Sequence, residues 1–161
     1  MKQVICFILV AALWLLLVWS VQWYDVLAGL CLALIVGIVL SDIYPDNPQK
    51  VFNPRRIFWA LLYVPYYVYF MVLANLDVAY RVLHPDMPIR PGIVKVRTGL
   101  RSSLARTFLA NSITLTPGTM SVDVVGPDLY IHWINVRGET PEEHARRIVR
   151  PFERVLKEIF E

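Results

Sequence analysis

The chain has 161 residues, of which 57% are hydrophobic and only 18% charged, and its 16 basic and 13 acidic side chains leave a net charge of +3. Soluble domains usually carry about 25% charged residues, and here residues 1–76 hold 7 of the 29 while residues 77–161 hold 22. That partition excludes a disordered chain, a coiled coil and a wholly soluble globule. The interleaved signs of the second half, 12 basic and 10 acidic, make a mixed solvated surface and exclude nucleic acid as an expected partner.

Three apolar runs come first in the chain. A crossing of the bilayer needs about 20 apolar residues, with a lower limit near 17. The runs predict spans over 4–20, 24–41 and 57–77, the third comfortably long and the first two at the limit. Lys2 ahead of the first run resembles a signal peptide. However, Trp19-Ser20-Val21-Gln22-Trp23 offers no small-residue cleavage site and a second apolar run follows at once, so the segment is expected to be retained. Gly29, Ala33 and Gly37 recur every four residues on the second run, a small-residue face that lets another helix approach closely, although small residues are common in membrane helices generally. Pro65 removes a backbone donor from the third run, which continues as a helix to about Leu83 before His84-Pro85 ends it.

Ionisable residues facing a bundle interior mark ion and proton paths. None lies deep in these runs: Asp25 and Asp77 sit at ends, where interfacial or capping roles suffice. Three spans place the basic connection with Lys50, Arg55 and Arg56 on one side and Arg81, Arg90, Lys95 and Arg97 on the other. Positive charge then only leans toward a cytoplasmic C-terminal half. Cys6 and Cys31 lie in apolar runs without CxxC spacing and are expected as packing residues.

From residue 85 onward the period changes to that of a small α+β domain of order β-α-β-β-α. Ile93–Thr98 alternates as a half-buried strand. Ser102 or Ser103 caps a helix running to about Ser112. In Thr116-Pro117-Gly118-Thr119, proline suits the first corner of a turn and glycine the second. Met120–Val125 and Leu129–Val136 form a hairpin about Gly126-Pro127-Asp128. Thr140, Pro141 and Glu143 open a terminal amphipathic helix that Pro151 bends. The domain limits are therefore 1–84 for a transmembrane helical region and 85–161 for the extramembrane domain, with a membrane protein of three N-terminal helices as the fold class. A core this small is expected to dock on another surface.

Catalytic constellations are absent from the sequence. His84, His132 and His144 have no metal-ligand spacing, and the hydroxyls between Ser112 and Ser121 lack the GxxxxGK[ST] pattern, so no metal, no cofactor and no enzymatic activity are expected. Those hydroxyls are expected to satisfy turn and helix-end backbone groups.

The run Asn111-Ser112-Ile113-Thr114-Leu115-Thr116-Pro117-Gly118-Thr119, with Leu129-Tyr130-Ile131-His132-Trp133 after it, resembles the E subunit of the Mrp (Mnh) multisubunit cation/proton antiporters. The stretch from His84 to Ile93 is similar to the family's other recognisable run, and the likeness extends over nearly the whole chain. It implies a non-catalytic accessory subunit in a prokaryotic cell membrane, with the lipid bilayer and other membrane subunits as partners, supporting Na⁺/H⁺ exchange by those subunits. The alternative within the same resemblance is the equivalent subunit of the Mrp-like ion-translocating module of a membrane-bound hydrogenase or sulfur-reductase complex. A standalone membrane-anchored binding module is the alternative from another class. Asn111, Thr114, Thr116, Pro117, Gly118, Thr119, His132 and Trp133, with Gly29, Ala33 and Gly37, are the structural or interface candidates.

Overall fold

A computed structural model describes residues 2–39 and 53–161. The end of the second expected span and the basic connection at Lys50 lie outside the described residues. The elements are helices α1 (Lys2–Val18), α2 (Trp23–Val39) and α3 (Pro54–Leu83), then β1 (Gly92–Arg97), α4 (Ser103–Thr114), β2 (Thr119–Val125), β3 (Asp128–Trp133), α5 (Pro141–Ile148) and α6 (Arg150–Phe160). They divide into two compact units, Met1–Phe52 and Asn53–Glu161. Helix α3, grouped in sequence with the two apolar helices before it, thus belongs with the sheet, and the boundary falls ahead of it.

In the first unit α1 and α2 form a helical hairpin turned at residues 19–22, where Trp19 takes φ 52°. The indole N–H of Trp14 donates to the Asp25 carbonyl at 2.9 Å and so ties the two helices near this turn. Cys6 and Ala33 are fully buried between them, and Cys31 is exposed. Each helix has 17 residues, about 26 Å of rise, against about 30 Å of hydrocarbon. Among the described helices only α3, with 30 residues, is long and apolar enough to cross a membrane, by length and composition. Among the described residues the expectation of three such helices is met by one, because the described lengths of α1 and α2 fall below that of a crossing helix.

In the second unit the sheet order is β1-β3-β2, antiparallel throughout. Strands β2 and β3 turn through Gly126 (φ 61°) and Pro127, with Val125 opposite Asp128, and Val122 forms a bulge between Ser121 and Asp123. Alternation sends Val94, Val96, Leu129 and Ile131 to one face, where α4, α5 and α6 cover them. Ser102 caps α4 by accepting from the Ala105 N–H at 3.4 Å. At the head of α5, the Thr140 hydroxyl accepts from the Glu143 N–H at 3.3 Å, while the Glu143 carboxylate accepts from the Glu139 N–H at 3.0 Å. That backbone donor holds the Glu143 carboxyl below its ordinary range. The terminal helix is two helices. Pro151 has no N–H to offer the preceding turn, and the chain breaks at Val149 before α6 begins.

The opposite side of α4 and α6 rests on α3. The Phe152 ring meets Phe70 edge-on at 5.6 Å and Tyr67 at 6.0 Å. The Tyr66 hydroxyl donates to the Pro151 carbonyl at 2.8 Å. Ser112 spends its single hydrogen on the Phe108 carbonyl at 2.7 Å, so the Tyr63 hydroxyl must donate the 2.5 Å bond between Tyr63 and Ser112. Only the Tyr67 hydroxyl is buried along this seam, among the described residues, with no hydrogen-bond partner. We expect Phe152→Ala to cost about 3–5 kcal/mol. Tyr67→Phe should be neutral or stabilising, since it removes an unpaired buried hydroxyl. Thermal unfolding of both variants in detergent checks the pair; a large loss with Tyr67→Phe would show that this hydroxyl has a partner in the assembled protein.

Candidate functional site

The segment from Asn111 to Thr119 closes the C-terminal end of α4, where the last carbonyls have no intrahelical donors. Hydroxyls of the segment meet two of them, Ser112 and Ile113, and bond neighbouring carbonyls as well. Thr114 donates to the Ala110 carbonyl at 2.9 Å and Thr116 to Ser112 at 2.7 Å, while Thr119 reaches the Ile113 carbonyl at 2.7 Å and Thr116 at 3.0 Å. Thr114 also accepts from the Ser121 N–H at 3.1 Å, which pins the helix end to β2. Residues 116–119 form a tight turn closed by Thr119 N–H to Thr116 O at 3.3 Å. Pro117 takes its first corner and Gly118, at φ 86°, its second, as a type II turn requires. A Cβ on Gly118 would lie 3.0 Å from the Ile134 side chain and 3.3 Å from Val78 of α3. The turn is therefore wedged between the sheet and α3.

A polar cluster lies beside this turn. The Arg81 guanidinium, 5% exposed, forks onto Asp77 at 2.9 and 3.0 Å and donates to the Pro88 carbonyl at 2.6 Å. Arg137 reaches the same carboxylate at 3.0 Å. The Asn135 amide, with its oxygen turned toward the guanidiniums, accepts from both arginines at 3.0 Å. Asp77, expected in an interfacial or capping role, is instead the acceptor of Arg81 one turn further along α3. Arg137 and Asn135, some 60 residues away, carried no signal in the sequence. Between this cluster and the turn opens a cleft of about 300 Å³, lined by Thr116, Pro117, Thr119, Trp133, Asp77 and Arg147 among others. A larger groove of about 580 Å³ runs over Arg97, Glu153 and Lys157 on the open surface, away from the turn.

The other sequence candidates fall elsewhere. Asn111 is exposed on α4, outside the cleft. His132 and Trp133 are neighbours on β3 and face opposite ways: Trp133 joins the core edge, its ring 6.1 Å from that of buried His144. His132 lies on the open sheet face between Ile93 and Met120. On the same face Lys95 pairs with Asp128 at 2.8 Å, and that carboxylate raises the lysine above its ordinary range. Gly29, Ala33 and Gly37 are buried against α1 of the same chain; a Cβ on Gly29 would fall 2.3 Å from the Trp14 ring, and one on Gly37 3.3 Å from the Gln3 carbonyl. Their small-residue face is occupied within the hairpin. Among the described residues no group of three or more His, Cys, Asp or Glu could hold a metal ion.

The cluster generates a prediction. Asp77→Asn leaves the buried Arg81 short of its charged acceptor and should lower stability by about 1–3 kcal/mol, with ion transport per assembled complex retained. Thermal melting and transport in vesicles check it, and loss of transport at unchanged stability would give this carboxylate a role in ion transfer.

A family model described as Na⁺/H⁺ ion antiporter subunit matches residues 7–159. The chain is 33% identical over 159 residues to the E subunit of the Na⁺/H⁺ antiporter of Alkalihalophilus pseudofirmus, covering 98% of this chain and 97% of that one. It is 30% identical to the E1 subunit of the Na⁺/H⁺ antiporter of Staphylococcus haemolyticus, covering 99% and 98%. Among solved structures, a chain of the membrane-bound sulfane sulfur reductase, an archaeal respiratory membrane complex, is 39% identical with a TM-score of 0.84 and 99% of each chain covered. The full-length match reaches from the hairpin through the Thr116–Thr119 turn to α6, and the chain belongs to the family of Na⁺/H⁺ antiporter E subunits.

Proposed function

We propose that this chain is a non-catalytic accessory subunit of a multisubunit monovalent cation/proton antiporter, which it serves by holding partner subunits in place. The full-length similarity to antiporter E subunits carries this reading. Its chemistry agrees: the hydroxyls of Thr114, Thr116 and Thr119 are spent on α4 carbonyls, and the acidic group nearest the cleft, Asp77, is spent on two arginines. The apolar helices attach the chain to the membrane, α1 and α2 as a paired anchor at the short end of spanning length, and the sheet domain stands on the cytoplasmic side. The likeness to a chain of the sulfane sulfur reductase supports a second reading, in which the same subunit belongs to a respiratory complex.

Gly118→Val tests the role in assembly. It combines a strained φ with a branched side chain aimed at Ile134 and Val78. We expect fewer antiporter-type subunits to co-purify with the tagged chain and cation-dependent growth to fall in proportion. Normal recovery of partners with lost exchange would contradict an assembly role. Mass spectrometry of what co-purifies with the wild-type chain separates the two complexes, since only a respiratory assembly brings redox subunits with it.

A further inference from the structure

We infer that α3, despite a length and composition sufficient to cross the bilayer, lies along its surface. The covered residues of α3 run from Arg56 through Tyr63, Phe70 and Ala74 to Arg81 at spacings of three and four, one continuous face. What covers that face is the sheet domain, from Arg55 paired with Glu158 at 2.7 Å and Arg56 on the Phe160 carbonyl at 3.2 Å to Arg81 on the Pro88 carbonyl at 2.6 Å. This seam is about 39 Å long at 1.5 Å per residue, longer than the roughly 30 Å hydrocarbon core. A crossing α3 would drag its partner through the whole core. Residues 84–161 hold 20 charged side chains, together with sheet-edge backbone groups that hydrocarbon leaves unsatisfied.

The face turned away from the domain has the opposite character. Phe58, Leu61, Val68, Val72, Leu76 and Leu83 follow one line down the helix, 44–84% exposed, and no charged residue interrupts 57–76. A charged domain on one side and an unbroken apolar strip on the other is the constitution of a helix lying in the membrane plane, sunk roughly 5–10 Å into the headgroup boundary. The lipid surface is therefore the occupant of this face. Pro65, on the exposed side, leaves the Leu61 carbonyl without its donor at a depth where headgroups and water are within reach.

The inference rests on the membrane assignment and is indifferent to which complex owns the chain.

The test is depth. Single nitroxides at Phe58, Val68 and Leu76, in a Cys6→Ala/Cys31→Ala chain within the complex in lipid nanodiscs, are read by power-saturation against oxygen and a water-soluble nickel chelate. A surface helix puts all three at one shallow depth, within a few ångströms of each other. A spanning helix makes Val68 the deepest by about 10 Å, since the labelled stretch rises about 27 Å; that profile overturns the proposal. Labels shielded from oxygen and nickel alike also overturn it, because a partner subunit then covers the face. If the cysteine-free chain does not assemble, a benzophenone amino acid at the same positions of the native chain decides by the acyl carbon it captures, near the headgroup throughout or near the chain terminus at position 68.

Discussion

The seam between α3 and the helical layer of the sheet domain governs this structure. A three-stranded sheet with three short helices buries too little apolar surface to be secure alone. Here the outer side of that helical layer is closed by the aromatic stripe of α3, with Phe152 between Tyr67 and Phe70 as its centre. The same stripe carries hydroxyls, and Tyr63 and Tyr66 use them on Ser112 and on the Pro151 carbonyl, the latter at the point where proline has broken the terminal helix. Thus one helix serves as the third layer of a water-facing fold while its other side remains as apolar as a membrane segment.

At the far end of the seam the Asp77, Arg81, Arg137 and Asn135 cluster holds α3 to the strand ends. A buried guanidinium is expensive unless its donors are met; Arg81 meets them with a forked carboxylate, a main-chain carbonyl and an amide. The Thr116–Thr119 turn abuts the same corner, and Gly118 is where α3, the turn and the chain beyond β3 come closest. The run of residues that most strongly suggested the family is therefore a junction between elements. Its hydroxyls are engaged in backbone bonds that fix the end of α4.

The two membrane-facing parts have different physical natures. The α1–α2 hairpin is predominantly apolar and is knitted by small residues: Gly29 admits the Trp14 ring where a side chain would collide, and Gly37 lets the Gln3 backbone come close. Helix α3 is two-sided.

Much of the fold was legible from local pattern. The charge partition separated an apolar half from a polar one, and alternation marked the strands. Proline and glycine marked the turns, and Thr140 with Glu143 marked the head of α5, because each of these signals acts over fewer than five residues. Residues 57–76 illustrate the limit. Their composition satisfies any hydropathy criterion for a crossing, and composition is blind to what covers one face of a helix. That depended on Phe152, Glu158 and Pro88, brought alongside α3 by the tertiary fold. Likewise the small-residue face of α2 was visible, but its occupant, α1 of the same chain, was not. Residue order determined which segments are helix, strand and turn. Only the packed structure decided where α3 belongs, because that is set by contacts between residues up to 104 positions apart.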